Sequence, residues 1–373
     1  MARKSRKVKK IVIKIGSRVL TGSGGKIDDF FLERFVGDIA ELHKKGFDIV
    51  LVSSGAIRTG APILKLDLTK VGISQKQAAA AVGQGLLIAK YNELFSRHNI
   101  TVAQILLTPD IVNERQKYLN ARNTLRTLID MKIIPIVNEN DTISYEEIKF
   151  GDNDKLSAIT VLLIEADVLI NLSDVVGLCS DDPQLCERVN LVNEVNEITQ
   201  EIIDRARGPR LNGGGTGGMA TKIEAAQIAM ECGTKMIIAD GREPNIIKRI
   251  LDGEKIGTTF VPHDSGLNSR KKWLAFGCQT EGRIFVNDGA KLMIMTKGKS
   301  LLPSGVIGVD GNFDHGTCVE VCGENQRIFA KGLSNYSSNE IVRLQGKQSS
   351  EINKLLGFKI SDVIVHRDDL VLI

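Results

Sequence analysis

A chain of 373 residues with 42% hydrophobic and 25% charged content has the makeup of a soluble globular protein long enough for two domains, which argues against disorder or a fibre. No apolar run approaches the roughly 20 residues of a bilayer helix, and the start MARKSRKVKK leads into no signal-peptide pattern, so a cytoplasmic protein with no membrane partner is expected. The formal charge of +4 comes from the first ten residues, with Arg3, Lys4, Arg6, Lys7, Lys9 and Lys10, while the rest is slightly acidic and gives little support to a nucleic-acid surface.

From Lys10 to about residue 260, apolar strand-like runs alternate with helical periodicity. IVIKI (11–15) leads to a predicted helix over 28–45 that puts Phe31, Leu32, Phe35, Val36, Ile39 and Leu42 on one face, with Asp28 as N-cap and Gly46 as stop. FDIVLVSSG then reads as a buried strand ending at Gly55, completing a βαβ unit. Further helices are predicted over 75–97, 116–131, 154–166, 194–207, 219–232 and 244–252, and strands over 101–107, 132–138, 167–173 and 235–240. This pattern predicts an α/β fold, a three-layer α/β/α sandwich. Ligands in such sheets gather at the carboxyl ends of the strands, where Gly16, Ser54, Asn138 to Asp141, Ser173 and Asp174 fall.

Near residue 275 the character changes to short, glycine-punctuated strands: GRIFV, KLMIM, LLPSGVIGVDGNF, TCVEV and RIFAKGLSNY, closed by a helix over 350–356. The expected organisation is a basic tail (1–10), an α/β catalytic domain (11–262), a linker (263–279) and a small β-rich domain (280–373). Six cysteines include no C-x-x-C pair, and Cys318 and Cys322 lie in the alternating CVEVC, so reduced thiols are expected.

The chemistry-bearing motifs are two lysines and two acidic, amide-rich runs. Lys14 ends a strand and is followed by Gly16, so its ammonium and nearby backbone N–H groups can meet phosphate oxygens. GGGTGGMATK places glycines before a helix N-terminus with Thr221 and Lys222 in its first turn, an anion site that does not follow the Walker spacing. NEND (138–141) and GDND (151–154) offer amides and carboxylates: Asp141, Asp152 and Asp154 could hold an ammonium, orient Lys14 or attract Mg²⁺, and capping is expected of Asp152 or Asn153. SSGA (53–56) adds hydroxyls at a strand end, and the scattered histidines form no triad or ligand set. Together these point to phosphoryl transfer.

VIKIGSRVLTG, LVSSGAI, LNARNTLR, PIVNENDTI, GDNDKLSA, SDVVGL with DP at 182–183, and GTGGMATK, in this order and spacing, resemble the glutamate 5-kinases of the amino-acid kinase superfamily. SLLPSGVIGVDGNF and VHRDDL resemble the PUA domain appended to bacterial-type members. The resemblance implies the amino-acid kinase fold with a small C-terminal PUA domain. It also implies ATP-dependent phosphorylation of the γ-carboxylate of L-glutamate, Mg²⁺ with the nucleotide, inhibition by proline, a homo-oligomer (dimer or tetramer), and a separate glutamyl-phosphate reductase that consumes the product.

By the same resemblance, Lys14 and Lys222 contact the ATP phosphates and Asp154 organises the two lysines. Ser54, Asp141 and Asn153 bind glutamate, while Gly16, Ser173, Asp174, Thr216, Gly217, Gly218, Met219, Ala220 and Thr221 line the nucleotide site; no residue is assigned as a metal ligand. Ser173 stands where the family often has threonine, and Cys179 where tyrosine usually follows GL. Rival readings are a superfamily kinase for acetylglutamate, aspartate, UMP or an isoprenoid phosphate, and an RNA-binding protein acting through the PUA domain. NEND followed by GDND favours the glutamate enzyme, and the 11 basic against 11 acidic residues of 280–373 leave no net charge to draw RNA.

Overall fold

The computed structural model describes residues 8–21, 26–112, 114–143, 153–179, 190–207, 218–262, 271, 274–275, 278 and 280–373. These fall into two compact units, one built mainly from residues up to 265 and one mainly from residues 266 onward.

The first unit is organised by an eight-stranded sheet. Its strands are β1 (Lys10–Ile15), β2 (Asp48–Ser53), β3 (Val102–Leu107), β4 (Ile134–Glu139), β5 (Val168–Ser173), β6 (Glu194–Val195), β7 (Lys235–Asp240) and β8 (Thr258–Phe260), in the spatial order β3-β4-β2-β1-β5-β7-β8-β6. From β3 to β7 every pairing is parallel, and only β8 runs antiparallel to β7. β1, β2, β4 and β5 are almost wholly buried, as expected of parallel strands covered on both faces. Their carboxyl ends therefore lie side by side along one edge.

Among the helices are α1 (Ser17–Leu20), α2 (Asp29–Lys44), α3 (Ala56–Gly60), α4 (Ile73–Ser96), α5 (Arg115–Asp130), α6 (Asp154–Ile164), α7 (Gln200–Arg207), α8 (Met219–Glu231) and α9 (Ile246–Leu251). α2 starts where the sequence predicts: Asp28 accepts a hydrogen bond from Phe31 N at 2.9 Å, and the six predicted apolar residues are all buried. They pack with Ile11, Ile13 and Ile15 of β1 and with Leu87, Tyr91 and Phe95 of α4 into one core. Period-2 alternation then turns Val12 and Lys14 toward the opposite face, across which α6 lies.

At Gly55 the chain takes φ +101°, a left-handed turn that lets α3 begin directly beneath the SSG loop. α3 and α4 then cross with no room for a side chain: a Cβ on Gly83 would sit 1.9 Å from Ala56 O, and one on Gly60 1.9 Å from Ala79 O.

Two predicted elements differ. The helix expected over 194–207 begins only at Gln200, because Glu194 and Val195 pair with Thr259 and Phe260 at the sheet edge. In the second unit the expected strand KLMIM is part of a helix, α10 (Asp288–Lys297), opened by Asn287, whose side chain accepts from Ala290 N at 2.8 Å. Its apolar run is not a buried strand face, since only Ile294 is buried while Leu292, Met293 and Met295 are exposed.

The second unit otherwise follows the predicted β pattern. β9 (Gly282–Val286), β10 (Val306–Asp310), β11 (Cys318–Cys322), β12 (Ile328–Ser334) and β13 (Val365–Leu372) form a sheet in the order β10-β9-β11-β12-β13, and α11 (Ser338–Leu344) and α12 (Ile352–Leu356) join its core. Among the described residues, Cys179, Cys278, Cys318 and Cys322 form no disulfide. None of the described helices is long and apolar enough to cross a membrane.

Candidate active site

Lys14 is the only charged residue with both neighbours in the buried apolar run of β1, and its side chain is 1% exposed. An ammonium so far from water needs fixed acceptors. Asp154, the first residue of α6 and itself fully buried, supplies one: its Oδ1 lies 2.7 Å from Lys14 Nζ. The other carboxylate oxygen lies 3.1 Å from Lys222 Nζ, brought in by the first turn of α8, and accepts from Thr221 Oγ1 at 2.8 Å. Asn171 Nδ2 donates to Oδ1 at 2.7 Å. One carboxylate thus joins two lysines from elements more than two hundred residues apart in the chain.

Such a buried assembly is a poor source of net stability, because desolvation offsets most of the attraction. It is a good device for holding two ammonium groups at a fixed separation. Gly218 caps α8, and Met219 and Ala220 form its first turn with Thr221, so the positive end of the α8 dipole faces the same place. Gly16 completes the border: a Cβ there would lie 3.9 Å from Lys14 Nζ and 3.4 Å from Leu172 O, ordinary contact distances, so the backbone itself runs close beside the lysine. Thr216 and Gly217, with Asp152 and the DP at 182–183, lie outside the described residues.

At the end of β5, Ser173 and Asp174 gather with arginines. Arg18 Nη1 lies 3.1 Å from Asp174 Oδ2, Ser173 Oγ donates to Asp174 Oδ1 at 3.2 Å, and Arg242 Nη2 donates to Asp174 O at 3.1 Å. Burial pushes the Asp174 carboxyl up, yet the Arg18 hydrogen bond, its own backbone N–H, the Arg18 charge and Ser173 together hold it below the usual carboxylate range.

On the other side of β1, the ends of β2 and β4 bring amides, hydroxyls and the Glu139 carboxylate together. Asn153 stands at the N-cap position of α6 but does not cap it, contrary to the capping role weighed for it. Its Nδ2 instead donates to Ser53 O at 2.7 Å and Asn138 Oδ1 at 2.6 Å, tying α6 to both strand ends. Ser53 Oγ meets Tyr91 OH at 3.0 Å, while the neighbouring Ser54 Oγ is buried without a partner. Just past β4, burial and then the negative charge of Glu139 push the half-buried Asp141 carboxyl up to about 7. Glu139 Oε1 is likewise buried and unpartnered. Buried, unmatched hydroxyl and carboxylate oxygens are what a polar ligand would satisfy.

The arrangement does not form a cage for Mg²⁺. Among the described residues no three His, Cys, Asp or Glu side chains gather so as to hold a metal ion, and both Asp154 oxygens are already engaged by Lys14, Lys222, Asn171 and Thr221.

Sequence comparison bears directly on this site. The profile of the Amino acid kinase family matches residues 9–240, and that of the PUA domain matches residues 282–356. A protein from Pelobacter propionicus named glutamate 5-kinase is 48% identical over 99% of this chain and 98% of its own, and one from Trichlorobacter lovleyi is 45% identical over 98% and 97%. The chain belongs to the glutamate 5-kinase family. A UMP kinase structure from Bacillus anthracis overlaps 69% of this chain and 97% of its own at a TM-score of 0.49 and 16% identity, too slight a likeness to add to that assignment.

For this glutamate 5-kinase family member, the structure brings Lys14, Thr221 and Lys222 together on Asp154; of Ser54, Asp141 and Asn153, Asn153 reaches Ser53 O beside Ser54, while Asp141 lies just past β4 near Glu139. Sequence reading missed Asn171, the half-buried Gln84 and the buried Tyr91. Asn171 carried a readable signal: it is an amide inside the apolar strand DVLINLS, and the parallel register of β1 and β5 pairs it with Lys14.

Proposed function

We propose that the protein transfers the γ-phosphoryl group of ATP to the γ-carboxylate of L-glutamate, giving L-glutamyl 5-phosphate and ADP. The observation that carries this reading is the buried Lys14–Asp154–Lys222 assembly beside the paired amides of Asn138 and Asn153. The curated relatives, similar over nearly their whole length, add support.

The nucleophile needs no base, because a carboxylate is ionised at neutral pH. One of its oxygens forms a bond to the γ-phosphorus while the bond to the bridging oxygen breaks and its electron pair passes to the β-phosphate of ADP. What the protein supplies is alignment and charge. Lys14 and Lys222, held apart by Asp154, meet phosphate oxygens; the N–H groups at the start of α8 add donors. Ser54, Asn153 and Asp141 hold the amino acid, with Asp141 accepting from its ammonium group. Ser173, Asp174 and the 216–222 segment border the nucleotide. Mg²⁺ bound together with ATP would offset the charge of its phosphates.

The acyl phosphate is labile, so a glutamyl-phosphate reductase is the expected consumer, in the first step toward proline. Proline inhibition at or near the glutamate site and a homo-oligomer complete this reading, in the cytoplasm. Trapping the product as a hydroxamate tests it: the protein with ATP, Mg²⁺ and hydroxylamine should give signal with L-glutamate, not with L-aspartate or N-acetylglutamate, and proline should reduce it. Signal with another acid would move the specificity, and none with any acid would end the proposal.

A further inference from the structure

Asn171 sits between Ile170 and Leu172 in the wholly buried strand β5, and none of it reaches solvent. The parallel register pairs it with Lys14 of β1, so the two side chains stand next to each other on the face that α6 covers. Its Nδ2 donates to Asp154 Oδ1 at 2.7 Å, the same oxygen that lies 2.7 Å from Lys14 Nζ. Its Oδ1, in contrast, is buried without a hydrogen-bond partner. An unmatched oxygen in the middle of a sheet opposes folding, so the stability of β5 does not explain the amide. Its matched group, the N–H on Asp154, does.

Asp154 meets these donors in two pairs. Oδ1 faces Lys14 and Asn171, both carried by strands of the sheet, and Oδ2 faces Lys222 and Thr221, both in the first turn of α8. Each oxygen thus has one ammonium and one neutral donor. The ammonium groups have a second task, because a transferring phosphoryl group draws their N–H bonds toward its own oxygens. The neutral donors have no such task. On the sheet side, Asn171 keeps its hold on Oδ1 while Lys14 turns toward phosphate. Without the amide the carboxylate would lean on Lys14 instead, and every movement of the lysine toward phosphate would be made against Asp154.

We propose that Asn171 is a positioning residue for phosphoryl transfer, which fixes Asp154 Oδ1 against the sheet and so leaves the Lys14 ammonium free to follow the negative charge as it develops. The proposal rests on the reading that the protein phosphorylates glutamate, and it adds to the two lysines and their carboxylate a neutral residue that acts through them.

The test begins with Asn171→Leu, which removes the donor and the unmatched oxygen together. kcat should fall about tenfold, the weight of one hydrogen bond to a charged group, with KM for glutamate and KM for ATP each within about twofold of the parent. The melting temperature should stay within about 3 °C of the parent, since the lost bond and the removed unmatched oxygen offset each other. A merely structural amide gives the reverse, a lower melting temperature with kcat intact, and that result overturns the proposal. A loss confined to either KM overturns it too. The second arm places Asn171→Leu on an Asp154→Asn background, where the charge that Asn171 holds is gone. There the further loss in kcat should shrink to within about twofold, and a full tenfold loss on both backgrounds overturns the proposal. If Asn171→Leu does not fold, Asn171→Ala is read for kcat and KM in the same way. A parent protein that phosphorylates no glutamate strikes the functional reading instead. The melting temperatures of the parent, both single variants and the double variant then still decide the link to Asp154: the shift caused by Asn171→Leu should differ between the two backgrounds, and equal shifts overturn it.

Discussion

The two halves of the site, on either side of β1, solve recognition in opposite ways. Toward β5 and α8 the chain concentrates full charges around one carboxylate, and each is buried. Toward β2 and β4 it uses neutral amides and hydroxyls, with Asp141 as the carboxylate nearest the solvent. The difference follows from the ligands each half is built for. A polyphosphate brings several negative charges and is met by cations that must not collapse onto one another, so a shared carboxylate keeps them apart. An amino acid brings a balanced pair of charges, and its selection rests on which atom faces donor or acceptor.

The charged half should be the less forgiving. Asp154→Asn strips the charge that holds two buried lysines, and a broken buried pair costs about 3–5 kcal/mol of stability, readable as a fall in melting temperature. Its activity should fall with it, by about a thousandfold or more in kcat. Lys222→Ala should lower kcat by about 10²–10³-fold with KM for glutamate within about threefold, since its interaction belongs to the transferring phosphoryl group. The opposite split, a large change in KM with kcat intact, would place Lys222 in the amino-acid half.

The neutral half should respond in KM. Asp141→Asn should raise KM for glutamate by about 10–100-fold, the loss of a charge-assisted contact, and leave KM for ATP nearly untouched. Because the Asp141 carboxyl is pushed up to about 7, it gains its proton as pH falls through that value and loses its hold on an ammonium. The ratio kcat/KM for glutamate should therefore drop about tenfold per unit below pH 7 while that for ATP does not follow, and Asp141→Asn should flatten this limb. The smallest effect belongs to Arg18→Ala. That exposed pair with Asp174 contributes about 0–1 kcal/mol, so KM for ATP should rise by no more than about fivefold.

The same contrast explains what the sequence could and could not tell. Lys14 and Lys222 were legible because a lysine amid Ile-Val-Ile, or after a glycine run, conflicts with its surroundings unless it has a task. The parallel sheet was legible for a similar reason, since IVIKI and FDIVLVS are too apolar to have one solvated face. KLMIM misled because a short apolar run between glycines was read as a strand, while the Asn287 cap and three exposed side chains made it a helix with a wet face. Gln84 and Tyr91 were not legible at all. A glutamine and a tyrosine on a helix carry no local sign of the strand ends they reach, because those partners come from residues 53 and 138, set by the register of β2 and β4 rather than by spacing along α4.

Consider, last, the crossing of α3 and α4. Gly60 and Gly83 bind nothing and carry no chemistry, yet a single methyl group at either would drive a backbone apart by more than an ångström from its present contact. A survey of every possible substitution would find these two positions as intolerant as the lysines, for a reason no inspection of ligands would suggest. Here a close backbone contact constrains the sequence as strictly as a buried charge does.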